Sequence, residues 1–179
     1  MNALNINKMT AVVLVLCLTF FLQACGDGGG DNETEPGISN GNDSSVMLID
    51  DGDPGFTKSD PPENWQQGDG YNGDAYWAPT SVDLARHTAR WTPTLPRPGV
   101  YRLYAYIPKD HSTTTHAQYN IFANGVISII TLNQSLFADE WVLLGAVTFA
   151  ADGNEYVELR DLTGESGREI AFDAIMWEE

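Results

Sequence analysis

Two groups of side chains in this sequence have the chemistry to hold a ligand. Trp65, Tyr71, Tyr76 and Trp77 crowd one turn-rich stretch, and Tyr104 and Tyr106 follow at alternate positions further along. Flat aromatic faces pack against sugar C–H groups while Asn, Gln and Asp bond the hydroxyls, so these six are the candidate carbohydrate-binding residues. Aromatics in small β-domains also fill cores and plug loops, and the same six rings are open to that reading. The second group is Asp50, Asp51 and Asp53, whose hard oxygens, with Gly52 among them, would suit calcium. The spacing is not that of an EF-hand, and the alternative is a turn in which Asp50 and Asp53 accept backbone amides ahead of Phe56. Asp173 lies in an apolar run where a carboxylate needs partners, and it reads as an internal hydrogen-bonding anchor.

Signs of catalysis are weaker. The histidines at 87, 111 and 116 form no metalloprotease pair. His111 and His116 lack a third ligand at suitable spacing and read as solvated loop and strand-edge residues. Glycoside cleavage needs one protonated and one ionised carboxyl group across a cleft, which spacing in a β-protein does not establish. The chain is therefore expected to be non-catalytic, with a polysaccharide-acting hydrolase as the weaker alternative and a structural calcium as the sole candidate cofactor. Nine basic against 25 acidic residues give a net charge of −16. That balance argues against nucleic acid and makes anionic polymers poor partners.

Cys25 is a different kind of site. Lys8 is followed by an apolar run from Met9 to Leu22, long enough for a signal-peptide core and short for a membrane span. The run ends in Leu22-Gln23-Ala24-Cys25, which resembles the bacterial lipobox, where the cysteine receives diacylglycerol before the signal is cleaved. Residues 1–24 thus read as a signal peptide and Cys25 as the lipidation site. Cys17 leaves with the signal, so no intramolecular disulfide remains. From Gly26 to Ser45 the chain holds five acidic residues, no basic ones and Ile38 as its only aliphatic side chain. Such a stretch cannot bury enough to order itself; residues 25–45 read as a tether with an end-to-end distance of about 25 Å. If Cys25 carries the lipid, Gly26 in place of Asp after it favours the outer membrane of the bacterial envelope, by resemblance to Gram-negative sorting rules.

The elements that must position the candidate residues lie in 46–179. Eight β-type runs stand out: Val46–Ile49, His87–Trp91, Val100–Ile107, His116–Ala123, Val126–Leu132, Trp141–Phe149, Tyr156–Arg160 and Ile170–Trp177. Asn124-Gly125 between two of them is a strong hairpin signal, because both central residues of a type I′ turn need positive φ. The expectation is an all-β, antiparallel, jelly-roll-like sandwich of about eight strands in a meander. Alternation puts Tyr101, Leu103, Ala105 and Ile107 inside, leaving Arg102, Tyr104 and Tyr106 as an outward aromatic ladder. Trp141–Phe149 and Ile170–Trp177 are apolar on both sides and read as central strands, with Trp91 and Trp141 in the core.

Several motifs then occur in a fixed order: Ile49-Asp50-Asp51-Gly52-Asp53-Pro54-Gly55-Phe56, Gly70-Tyr71-Asn72-Gly73-Asp74-Ala75-Tyr76, and Ala89-Arg90-Trp91-Thr92-Pro93. Gly99-Val100-Tyr101-Arg102-Leu103-Tyr104-Ala105-Tyr106, Trp141-Val142-Leu143-Leu144-Gly145 and Asp173-Ala174-Ile175 follow. Together they resemble the golvesin and xanthan-lyase C-terminal domain, which is described as carbohydrate-binding-like. The resemblance implies a binding module for a polysaccharide or glycan, here on a membrane tether rather than at the end of an enzyme. The alternative is a structural envelope lipoprotein that docks a protein partner and binds no sugar.

Overall fold

Runs of β-branched and aromatic residues, cut by Gly, Pro, Asn and Asp, form twelve strands in a computed structural model that describes residues 45–59 and 64–179. Cys25, the signal segment and residues 25–44 of the tether lie outside the described residues. The strands are β1 (Val46–Ile49), β2 (Phe56–Lys58), β3 (Gln66–Gly68), β4 (Ala75–Pro79), β5 (Thr88–Trp91) and β6 (Gly99–Ile107). β7 (Ala117–Ala123), β8 (Val126–Leu132), β9 (Glu140–Phe149), β10 (Tyr156–Arg160), β11 (Glu169–Phe172) and β12 (Ile175–Glu178) complete the set. The eight expected runs are present. β2, β3 and β4 are additional, and the run from Ile170 to Trp177 splits at Asp173-Ala174 into β11 and β12.

All three sheets are antiparallel and together make a sandwich-like fold. Their orders are β1-β12-β6-β9, β2-β5-β10-β7-β8 and β11-β4-β3. This is not the meander expected from the sequence: only β3–β4 and β7–β8 pair with their chain neighbours, because most connections cross between sheets. The β7–β8 turn is the one read from Asn124-Gly125, and both residues have positive φ, 53° and 76°. The inner faces meet in one core. Tyr101, Leu103, Ala105 and Ile107 from β6 face Tyr119 and Ile121 from β7, Val157 and Leu159 from β10, and Trp91 and Trp177. Burying such side chains contributes about 1.5–3 kcal/mol each, the main stabilising term.

β9 corrects a second expectation. It is an edge strand, not a central one, and it contains a bulge where the register with β6 shifts between Leu103 and Tyr104. Leu144 is the extra residue. Before the bulge, Trp141 and Leu143 lie opposite the outward Tyr106 and Tyr104; after it, Val147 and Phe149 lie opposite Tyr101 and Gly99. The bulge reverses the side to which odd positions point, so the strand reads as apolar on both faces when a single alternation is imposed.

Candidate functional site

The outward face of β6 and β9 carries the aromatic side chains. Tyr106 and Trp141 are cross-strand partners with ring centroids 5.4 Å apart at 73°. Tyr71, from the 3-10 turn Tyr71–Gly73, closes the group at 5.4 Å from Tyr106 and 5.1 Å from Trp141, tilted 62° and 65°. Edge-to-face contact is the arrangement that the ring quadrupoles favour, and all three rings stay half-buried at the surface. Beside them, Leu48, Met176, Tyr104 and Leu143 occupy successive register positions across β1, β12, β6 and β9, and Leu143 is 54% exposed. Glu178 borders this strip. It accepts from the Tyr104 hydroxyl at 3.2 Å and lies 3.5 Å from Arg102.

The Tyr71 turn is held from beneath by carboxylates. Asp173 Oδ2 accepts the Tyr71 N–H at 3.0 Å, and its Oδ1 accepts the Ala174 N–H at 2.8 Å, the anchoring role read from the sequence. Asn72, at φ 55°, donates its side-chain amide to Asp50 Oδ2 at 2.9 Å. Gly70 is needed here, since a Cβ would collide with the Asp173 carboxylate, the Asp74 carbonyl and the Ala75 side chain. Asp50, Asp51 and Asp173 are all buried. Burial is the main reason that the Asp173 carboxyl is pushed up to about 8 and that of Asp51 to about 7, with neighbouring aspartates adding to it in each case. Asp50 is raised as well, again mainly by burial.

Asp50, Asp51 and Asp53 also build the turn ahead of Phe56. Asp53 Oδ2 accepts the Asp50 N–H at 3.0 Å, Asp50 Oδ1 accepts the Asp51 N–H at 3.0 Å, and the Asp53 carbonyl accepts the Phe56 N–H at 3.1 Å. A cation would compete with these amides for the same oxygens. Among the described residues, no group of three or more His, Cys, Asp or Glu side chains is arranged to hold a metal ion.

The six aromatic candidates do not converge. Tyr71 and Tyr106 join the surface cluster, and Tyr104 lies on the strip beside it. Trp65 is only 7% exposed and belongs to the core, with edge-to-face contacts to Tyr76, His87 and Phe172 and its Nε1–H donated to the Ser59 carbonyl at 2.9 Å. Tyr76 stacks parallel to Phe56 at 6.1 Å, and the Lys58 ammonium sits 3.5 Å from its ring centroid. Trp77, adjacent on β4, points to the opposite side and stacks on His111 at 3.9 Å. His111 is therefore packed, and it pairs with Glu169 at 3.0 Å, whereas the sequence reading made it a solvated loop residue. His116 lies 3.6 Å from Glu165. Burial works to raise the Glu165 carboxyl, but hydrogen bonds from Thr114 and Thr115 hold it down to about 2. Trp141 was missed as a surface residue. The available signal was that its run cannot keep one phase from Trp141 to Phe149.

The model of the golvesin C-terminal domain family matches residues 47–179. Among solved structures, a xanthan lyase from Paenibacillus is 20% identical with a TM-score of 0.62, covering 74% of this chain and 13% of that one. A GH26-CBM35 β-(1,4)-mannanase from Podospora anserina is 15% identical with a TM-score of 0.43, covering 74% of this chain and 27% of its own. At this identity the lyase shares the fold, and the present chain spans 13% of its length. No curated protein matches the chain.

Proposed function

This chain belongs to the golvesin C-terminal domain family, and we propose that it is a non-catalytic carbohydrate-binding module, lipid-anchored to the bacterial outer membrane through Cys25 of its lipobox-like Leu22-Gln23-Ala24-Cys25. The observation that carries the reading is the cluster of Tyr71, Tyr106 and Trp141 at the surface. Each ring is fixed by the other two and by the Asp173-anchored turn, so little conformational entropy is lost when a sugar packs on it. The adjoining strip from Leu48 to Leu143 lengthens the apolar track, and Arg102 with Glu178 supplies polar groups at its border. A non-catalytic role fits the aspartates beneath the cluster, which lie buried under a turn and not across a cleft from one another.

Affinity electrophoresis of the full chain in detergent against neutral polysaccharides tests the site. Trp141→Ala and Tyr71→Ala should weaken retention about tenfold or more; retention equal to wild type on every polymer that wild type binds would defeat the reading. The anchor is tested separately. Cys25→Ser should abolish incorporation of labelled fatty acid and release the protein from membranes, and label retained in the variant would remove the lipid from the proposal.

A second reading, a protein-docking envelope lipoprotein, is favoured by one feature. β8 is an edge strand on which Val126, Ile127 and Ile129 are each more than half exposed, a template suited to strand addition by a partner. Pull-down from envelope extract with the wild type and an Ile127→Lys/Ile129→Lys variant tests it. A partner retained equally by both would not be using that edge.

A further inference from the structure

The outward face of the five-stranded sheet has a different chemistry. Thr57, Arg90, Glu158, Asn120 and Ile129 are successive register partners across β2, β5, β10, β7 and β8, so one row spans the whole sheet. Glu158 points outward yet is only 4% exposed, because two guanidiniums cover it. Arg90 Nη2 donates to Oε2 at 2.6 Å, and Arg160 donates to Oε1 from Nε at 2.8 Å and from Nη2 at 2.6 Å. Two cations share one carboxylate, which leaves one positive charge in excess. On this face Glu158 is the sole acidic side chain among the described residues. Arg90 and Arg160 nevertheless remain 43% and 50% exposed along their side chains.

The arginines are also held in position. The Arg90 guanidinium carbon lies 3.8 Å from the centroid of the Tyr156 ring, and Tyr156 stacks in turn on Phe122 at 5.2 Å and 26°. A guanidinium seated over an aromatic ring keeps N–H groups available at its edge, and each arginine has five of them. Most remain after the bonds to Glu158 are made. Next to Arg90 a shallow depression is lined by Thr57, Lys58, Ser59, Thr88 and Glu158, where hydroxyls stand beside the guanidinium edge. Planar cationic forks flanked by hydroxyls and amides match a carboxylate carried on a polyhydroxylated ring.

We infer that the outward face of the five-stranded sheet is a second binding site, for a carboxylate-bearing sugar of the uronic acid type, read by Arg90 and Arg160. The net charge of −16 opposes acidic polymers only at long range. At physiological ionic strength charges are screened beyond about 8 Å, so the local excess of cation governs contact. The proposal shares with the preceding reading the premise that the ligand is a glycan, but it rests on the other sheet.

The test uses the full chain in detergent and affinity electrophoresis in gels containing polygalacturonate, highly methyl-esterified pectin or dextran sulfate. Wild type should be retarded by polygalacturonate and not by esterified pectin, whose carboxylates are capped on the same backbone; this comparison does not depend on any variant folding. Arg160→Gln should raise the apparent Kd about tenfold, Arg90→Gln/Arg160→Gln should abolish retardation, and the charge-matched Lys109→Gln should leave it unchanged. Absence of retardation by polygalacturonate, equal retardation by esterified pectin, or equal retardation by dextran sulfate would each overturn the assignment. Failure of the aromatic-cluster reading appears elsewhere, in the response of neutral polymers to Trp141→Ala.

Discussion

The two outward faces of this protein each rest on buried carboxylates, and they meet the cost of burial in opposite ways. Under the Tyr71 turn, Asp173 and Asp51 form no ion pair among the described residues, Lys58 lowers the Asp51 carboxyl only in part, and burial raises the two to about 8 and about 7, so both are largely protonated near pH 6. On the five-stranded sheet, Glu158 is instead compensated by Arg90 and Arg160. A proton neutralises a carboxyl group and leaves an apolar neighbourhood, here one of aromatic rings. Guanidiniums neutralise it and leave spare charge and donors at the surface. The difference makes one face suited to neutral, C–H-rich surfaces and the other to anions.

The comparison breaks most easily at Asp173. Asp173→Ala removes the acceptor for two N–H groups at once and should cost about 2–4 kcal/mol in urea unfolding. Asp173→Asn keeps one acceptor and should cost about 1 kcal/mol. An equal loss in the two variants would mean that the carboxylate charge, and not the acceptor geometry, supports the turn. Glu158→Gln is the matching change on the other sheet. It leaves two guanidiniums facing each other without an anion and should cost about 1.5–3 kcal/mol at pH 7, more than Asp173→Asn. The reverse order would show that the two carboxylates are not compensated in different ways.

The pH dependence sharpens the same contrast. Asp173 and Asp51 hold protons in the native state that the unfolded chain releases near pH 4, so their contribution is complete below about pH 4 and is lost as pH rises toward about 8. Glu165 acts in the other direction: its contribution is present above about pH 4.5 and is lost as pH falls toward about 2. Thermal melts should therefore give the highest Tm near pH 4–5 and a falling Tm up to pH 8, with a shallower fall in Asp173→Asn. A Tm that climbs steadily from pH 5 to 8 would contradict the protonated support. A small stability change is also expected at Trp141. Because its ring is half-buried at an edge strand, Trp141→Ala should cost at most about 1.5 kcal/mol, well below the 3–5 kcal/mol of a fully buried tryptophan such as Trp177.

Local pattern in the sequence determined the class and much of the inside. Alternation separated Tyr101, Leu103, Ala105 and Ile107 from Tyr104 and Tyr106, because side-chain direction in a regular strand depends only on position within it. Asn124-Gly125 announced its hairpin, since positive φ at two adjacent residues is a local demand. The ordered motifs from Ile49 to Ile175 carried the family. Where the bulge in β9 would fall was decided by pairing with β6, and with it the outward position of Trp141. Tertiary structure alone brought Tyr71 to Tyr106 and Trp141, turned Trp65 inward, set Trp77 on His111, and put Arg90 and Arg160 over Glu158. Arg90 and Glu158 are 68 residues apart, and Tyr71 and Asp173 are 102 apart. Contacts of that range depend on which strands become neighbours and in what register, and the side-chain pattern of a single strand is compatible with many partners.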